Sequence, residues 1–204
     1  MESLHTVALA IMVAFLGFAP PGMINMTALK ISMEHRISTG LLFVSGASVV
    51  IFVQALIAVA FAGYLGHNPQ VVQNLTIASI GVFLLLAVFF YRQARRKVDV
   101  QVKEPGKKVF LAGIGMAAMN MLGIPFFLGY STFLEAKGWL DLRHPQHWWF
   151  ALGAMAGAWL LFSIYVFFAP FIQRRVQFIA RNINYILSLL FLSLAVITFL
   201  NIIF

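Results

Sequence analysis

Residues 40–65, 71–91, 148–171 and 183–204 are four apolar runs with almost no charge inside them. The hydrocarbon core of a bilayer is crossed by about 20 predominantly apolar helical residues, with a range of about 17–25. Two further runs of that length, 4–29 and 109–134, are broken in the middle by Pro20, Pro21 and Gly22 and by Gly123 and Pro125. Six spans are therefore expected, the first and fourth of them broken. Composition agrees, with 62% hydrophobic and 10% charged residues and a mean hydropathy of +0.93. A soluble domain carries about 25% charged and about 45–50% apolar residues. The fold class expected is an all-α integral membrane protein. Met1, Glu2 and Ser3 supply no basic region ahead of the first run and no small-residue cleavage motif follows it, so that run reads as a retained span.

The net charge of +8 is unevenly spread. Lys30 and Arg36 fall between spans one and two, and Arg92, Arg95, Arg96, Lys97, Lys103, Lys107 and Lys108 between three and four. Arg174, Arg175 and Arg181 fall between five and six, which leaves Lys137 and Arg143 as the remainder of the 14 basic residues. An excess of Lys and Arg marks cytoplasmic loops, so both termini are expected outside. Topology already accounts for the charge, and no nucleic-acid partner is expected.

An internal repeat is visible at an offset of 108, where Asn74 meets Asn182, Phe83 meets Phe191, Leu84 meets Leu192, and Leu86-Ala87-Val88 meets Leu194-Ala195-Val196. Ser45-Gly46-Ala47 in span two has a counterpart in Ala156-Gly157-Ala158 of span five, and each half opens with a broken span. Chance similarity among apolar helices is the competing explanation. The expected organisation is a three-helix repeat over 1–92, a basic cytoplasmic linker over 93–107 and a second repeat over 108–204. Three spans are an odd number, so the second repeat would be inverted.

Paired Gly/Pro-interrupted segments in corresponding halves point to a transporter's binding site. Pro21 and Pro125 are each expected to open a half-helix, where proline's missing N–H costs nothing. The unpaired N–H groups and positive dipole end of such a half-helix suit a carboxylate. The alternative is a plain proline kink. Polar groups able to line the site are Asn25 and Thr27 after the first break, Asn120 before the second, Gln54 in span two, and Tyr130. The expected substrate-binding set is Pro21, Gly22, Asn25, Thr27, Gln54, Asn120, Gly123, Pro125 and Tyr130. Gly153 and Gly157 form a close-packing pair.

The sequence has no Cys, no HExxH pattern around Glu34-His35, and no acidic residue deep in a span. No metal site and no cofactor is expected. Gly129-Tyr130-Ser131 lacks the glycine of a nucleophile elbow and a span histidine to serve it, which argues against an intramembrane hydrolase.

This layout resembles the LysE-type translocators, a family of amino-acid exporters for lysine, threonine, homoserine and related metabolites. Their first span carries Pro-Gly-Pro, matched here by Pro21-Gly22-Met23. Their second often reads Gly-x-x-x-Gly-Asp-x-x-His-Ala-Leu. This chain keeps Gly46, Ala55 and Leu56, with Val50, Ile51 and Gln54 in place of the second Gly, the Asp and the His. For the fourth span's Asn-Pro-Lys there is Asn120 with Pro125 and no Lys. The resemblance, to a remote member, implies a secondary transporter in the bacterial inner membrane that exports small zwitterionic metabolites. Ile51 in the acidic position implies neutral rather than cationic amino acids. A homo-oligomer is compatible with the pattern. The competing function is a non-transport integral subunit or scaffold of a membrane complex.

Overall fold

The computed structural model describes residues 2–66, 69–95, 107–120, 122–141 and 144–203. Among them the chain forms eight α-helices and no strand: α1 (Glu2–Phe18), α2 (Met23–Glu34), α3 (Ile37–Gly66), α4 (Pro69–Arg95), α5 (Lys107–Ala118), α6 (Gly123–Ala136), α7 (Gln146–Phe167) and α8 (Ala169–Ile203). Positions 96–106, most of the expected linker, lie outside the described residues, as does Arg143.

Among the described residues, three helices are long and apolar enough to cross a membrane, over Ile37–Leu65, Gln146–Phe167 and Asn184–Ile202. Two bent pairs, α1 with α2 and α5 with α6, pass the same test together and turn by 80° and 61° at their breaks, which makes up to five spans. The segment expected as the third span is helical in α4.

The chain packs as two compact units, Met1–Tyr64 with Val100–Arg175, and Leu65–Asp99 with Val176–Phe204. Each unit draws on both sides of the linker. In the first, Phe43, Phe127, Phe150 and Phe162 are fully buried. Helices in lipid gain little by burying apolar area, since lipid tails are as apolar as Leu, so close contact depends on small residues. A methyl group on Gly153 or Gly157 of α7 would run into the backbone of α1 at Val7 or Ile11. A methyl on Gly46 of α3 would do the same to α5 at Phe110. These contacts also give direction. Val7 meets Gly153 and Ile11 meets Gly157, so α1 and α7 run parallel. Gly46 meets Phe110 and Ile114, and Gln54 meets Ala117 further on, so α3 and α5 also run parallel.

In the second unit, α4 and α8 are antiparallel. Tyr91 packs on Tyr185, Ser188 Oγ donates to the Ala87 carbonyl at 2.8 Å, and the rings of Phe83 and Phe191 lie 6.1 Å apart. Large apolar side chains such as Leu85 and Leu189 stand outward and exposed. Contiguous exposure of that kind is unfavourable in water and ordinary against lipid.

Candidate functional site at the two helix breaks

The last carbonyls of a helix have no partner within it, so a helix that ends in the middle of a bilayer must find donors elsewhere. The first break solves this with side chains, the second with short backbone turns and a side chain. At the first, Asn25 in the opening turn of α2 turns back across the gap. Its Nδ2 donates to the carbonyls of Phe18 at 2.8 Å and Pro20 at 3.1 Å. Tyr165 reaches in from α7, its hydroxyl donating to the Ala19 carbonyl at 2.8 Å. Asn25 is 2% exposed, and both of its N–H bonds are spent.

At the second break the donor comes from α3. Gln54 Nε2 donates to the Ala117 carbonyl at 3.0 Å and, at 3.4 Å, to that of Asn120. Asn120 is otherwise engaged locally: its Oδ1 accepts from Leu122 N at 3.4 Å and its carbonyl from Gly123 N at 3.3 Å. The other end of the Gln54 amide is not satisfied. Among the described residues, Gln54 Oε1 and Ser163 Oγ are the buried side-chain polar atoms without a hydrogen-bond partner. Such an atom costs roughly 1–3 kcal/mol. Gly123 lies directly against it, and a Cβ there would fall on Oε1.

The breaks lie side by side. Phe18, the last residue of α1, packs its ring at 5.9 Å from Phe126 and 6.0 Å from Phe127, both in the first turns of α6. A methyl on Gly17 would meet the Phe126 ring itself. The structure thus sets the end of α1 against the start of α6, with Asn25 tied to Phe18 and Pro20 at the first break and Gln54, Asn120 and Gly123 gathered at the second. Thr27 is buried two residues beyond Asn25 along α2.

Three expectations change. Pro21 precedes Gly22, the extended N-cap of α2 with φ −103 and ψ −176, so it lies outside the helix it was expected to open. Pro125 is the third residue of α6 rather than the first, and it is exposed. The first turn still tolerates it, because N–H groups there are unpaired in any case. Tyr130 does not join the breaks. The buried face of α6 is Gly123, Phe127, Ser131 and Leu134, and Tyr130, three residues from Phe127, stands at its edge. Its ring stands 46% exposed, 4.9 Å from Phe126.

Tyr165 was missed. Gly46 and Gly157 correspond at an offset of 111, and Gln54 carried through the same offset lands on Tyr165. The partner of Gln54 was therefore readable once the alignment of spans two and five was extended.

An all-helical chain with apolar helices of membrane length and two broken pairs is a multi-pass membrane protein. The LysE type translocator family model matches residues 15–201, and the chain belongs to that family. It is a family of membrane transporters, so the chain is a translocator of small molecules rather than an enzyme. No curated protein and no solved structure matches it.

Proposed function

We propose that this protein is a secondary transporter of the bacterial inner membrane that exports neutral amino acids or similar small zwitterions. It works by alternating access between two inverted three-helix repeats, with six spans and both termini outside. The observation that carries this reading is reciprocal. Gln54 in the second span of one half caps the broken helix of the other, and Tyr165 in the corresponding position caps the broken helix of the first. Neither half completes its own break.

Helix directions support the same topology. In an alternating six-span chain the first and fifth spans run parallel, as do the second and fourth, and the third and sixth run antiparallel. The contacts of α1 with α7, α3 with α5, and α4 with α8 follow that pattern. Phe83 packs on Phe191, its counterpart in the repeat, which is what residues on a two-fold axis do. Each half gives its first two spans to one packing unit and its third to the other.

The preference for neutral substrates rests on charge. Ile51 occupies the family's acidic position and is fully buried one turn from Gln54. A cationic side chain left unpaired at mid-membrane costs about 2.5–3.5 kcal/mol even on the gentler insertion scale, while a zwitterion can be held by dipoles. Purified protein in liposomes loaded with labelled amino acids tests this. Efflux of neutral amino acids well ahead of lysine and arginine is expected. Selective lysine export would overturn the neutral preference, and no efflux of any amino acid would overturn the transport reading.

A further inference from the structure

Each break takes a hydrogen bond from a side chain of the opposite half, yet the second also holds a buried acceptor without a partner. We propose that Gln54 Oε1 is the seat of the substrate's ammonium group, so that the amine end lies at the second break, between α3 and the start of α6. This deepens the transport reading above and rests on it.

The orientation of the Gln54 amide is determined by its surroundings. Nε2 faces two carbonyl oxygens, those of Ala117 and Asn120, and exchanging N and O would set three acceptors against one another. Oε1 is therefore held as an acceptor in a side chain only 6% exposed, with both lone pairs unused. It has no proton to give, so it selects a donor. A protonated amine is the donor with most to offer, having three N–H bonds on a positive charge. An amide meets that charge with a dipole and no net charge of its own, which suits a zwitterion whose carboxylate already balances the amine.

Gly123 keeps the adjoining space clear, since any larger residue would put its Cβ on the acceptor. The first break offers no counterpart: among the described residues Asn25 Oδ1 is not one of the buried atoms without a partner, and Tyr165 gives its proton to Ala19. Ser163 Oγ, the other unpaired atom, is a hydroxyl that can rotate its proton, so it is not held as an acceptor. Because Oε1 is closed off here, substrate reaches it when the start of α6 moves away from α3.

The test uses the full chain in liposomes and a labelled neutral amino acid, with three unlabelled competitors: the same amino acid, its N-acetyl derivative, and the 2-hydroxy acid of the same side chain. In the unaltered protein the two analogues lacking an ammonium group should compete about tenfold or more weakly, the scale of one hydrogen bond to a charged group. Gln54→Met should raise KM for the amino acid by a similar factor and flatten the difference between competitors. Gly123→Ala, which keeps the amide and fills the space before it, should do the same. Equal competition by the N-acetyl derivative, while the amino acid is transported, overturns this inference and leaves the transport reading standing. Unchanged discrimination in Gln54→Met overturns it as well. Absence of all transport removes both readings together.

Discussion

The carbonyls of the first break are paired by side chains from within and from behind, whereas those of the second take short backbone turns and one side chain from a neighbour. Asn25 belongs to the helix that follows the first gap and ties it to the helix before, and Tyr165 adds a third carbonyl from α7. At the second gap the following helix supplies nothing comparable: α6 has Leu122 in helical conformation at its N-cap and no side-chain cap. The C-terminal carbonyls of α5 are held from α3 by Gln54. A corner tied by its own sequence persists when its neighbours move, while a corner tied by another helix comes apart when the two helices separate. The first break is therefore suited to be a fixed elbow and the second to be the moving part.

That contrast has meaning only if the two breaks are equivalent points in opposite orientation, and the largest effect tests this. The sequence contains no cysteine, so one introduced cysteine is an unambiguous label site. Glu34 ends α2 and Glu135 lies one residue before the end of α6. Glu34→Cys should react with a membrane-impermeant thiol reagent from the cytoplasmic side alone, and Glu135→Cys from the outside alone. Labelling of both from one side would remove the inversion, and with it the comparison.

The next effect is on stability. Asn25→Ala removes two hydrogen bonds and leaves two carbonyls unpaired among apolar helices, at roughly 1–3 kcal/mol each. Gln54→Met also removes two donors, but it deletes the unpaired Oε1, which offsets part of the loss. The thermal midpoint of detergent-solubilised Asn25→Ala should fall clearly below that of Gln54→Met, while transport by Gln54→Met is the more impaired relative to protein folded. A larger loss of stability in Gln54→Met would reverse the assignment of fixed and moving corners.

Proline and glycine mark both gaps in the sequence, because no other residues end a helix so reliably within an apolar run. Gln54 is equally legible as an amide in the middle of α3. What pattern alone does not carry is who pairs with whom. Asn25 reads as a residue facing substrate until its N–H bonds are found on Phe18 and Pro20, since a short amide after a break can turn either way. Tyr130 follows Pro125 and lies three residues from Phe127, so its spacing places it at the edge of the buried face and only its exposure in the structure takes it out of the site. Tyr165 lies in α7, and only the repeat connects it to the first break.

The smallest effect separates a cap from a contact. Tyr165→Phe keeps the ring and removes one hydroxyl, whose hydrogen bond to the Ala19 carbonyl is 2.8 Å long. A single neutral hydrogen bond contributes about 1 kcal/mol, and Asn25 still holds the carbonyls on either side. The elbow should survive with a slightly lower thermal midpoint and transport near that of the unaltered protein. At the second break the carbonyls of Ala117 and Asn120 keep backbone donors in Asn120 N and Gly123 N, so Gln54→Met should impair transport through loss of the amide and not through collapse of the corner. If the halves were interchangeable, Tyr165→Phe and Gln54→Met would impair transport alike. A large loss of transport in Tyr165→Phe would make the first break as mobile as the second, and the site would then be a pair of gates around one cavity.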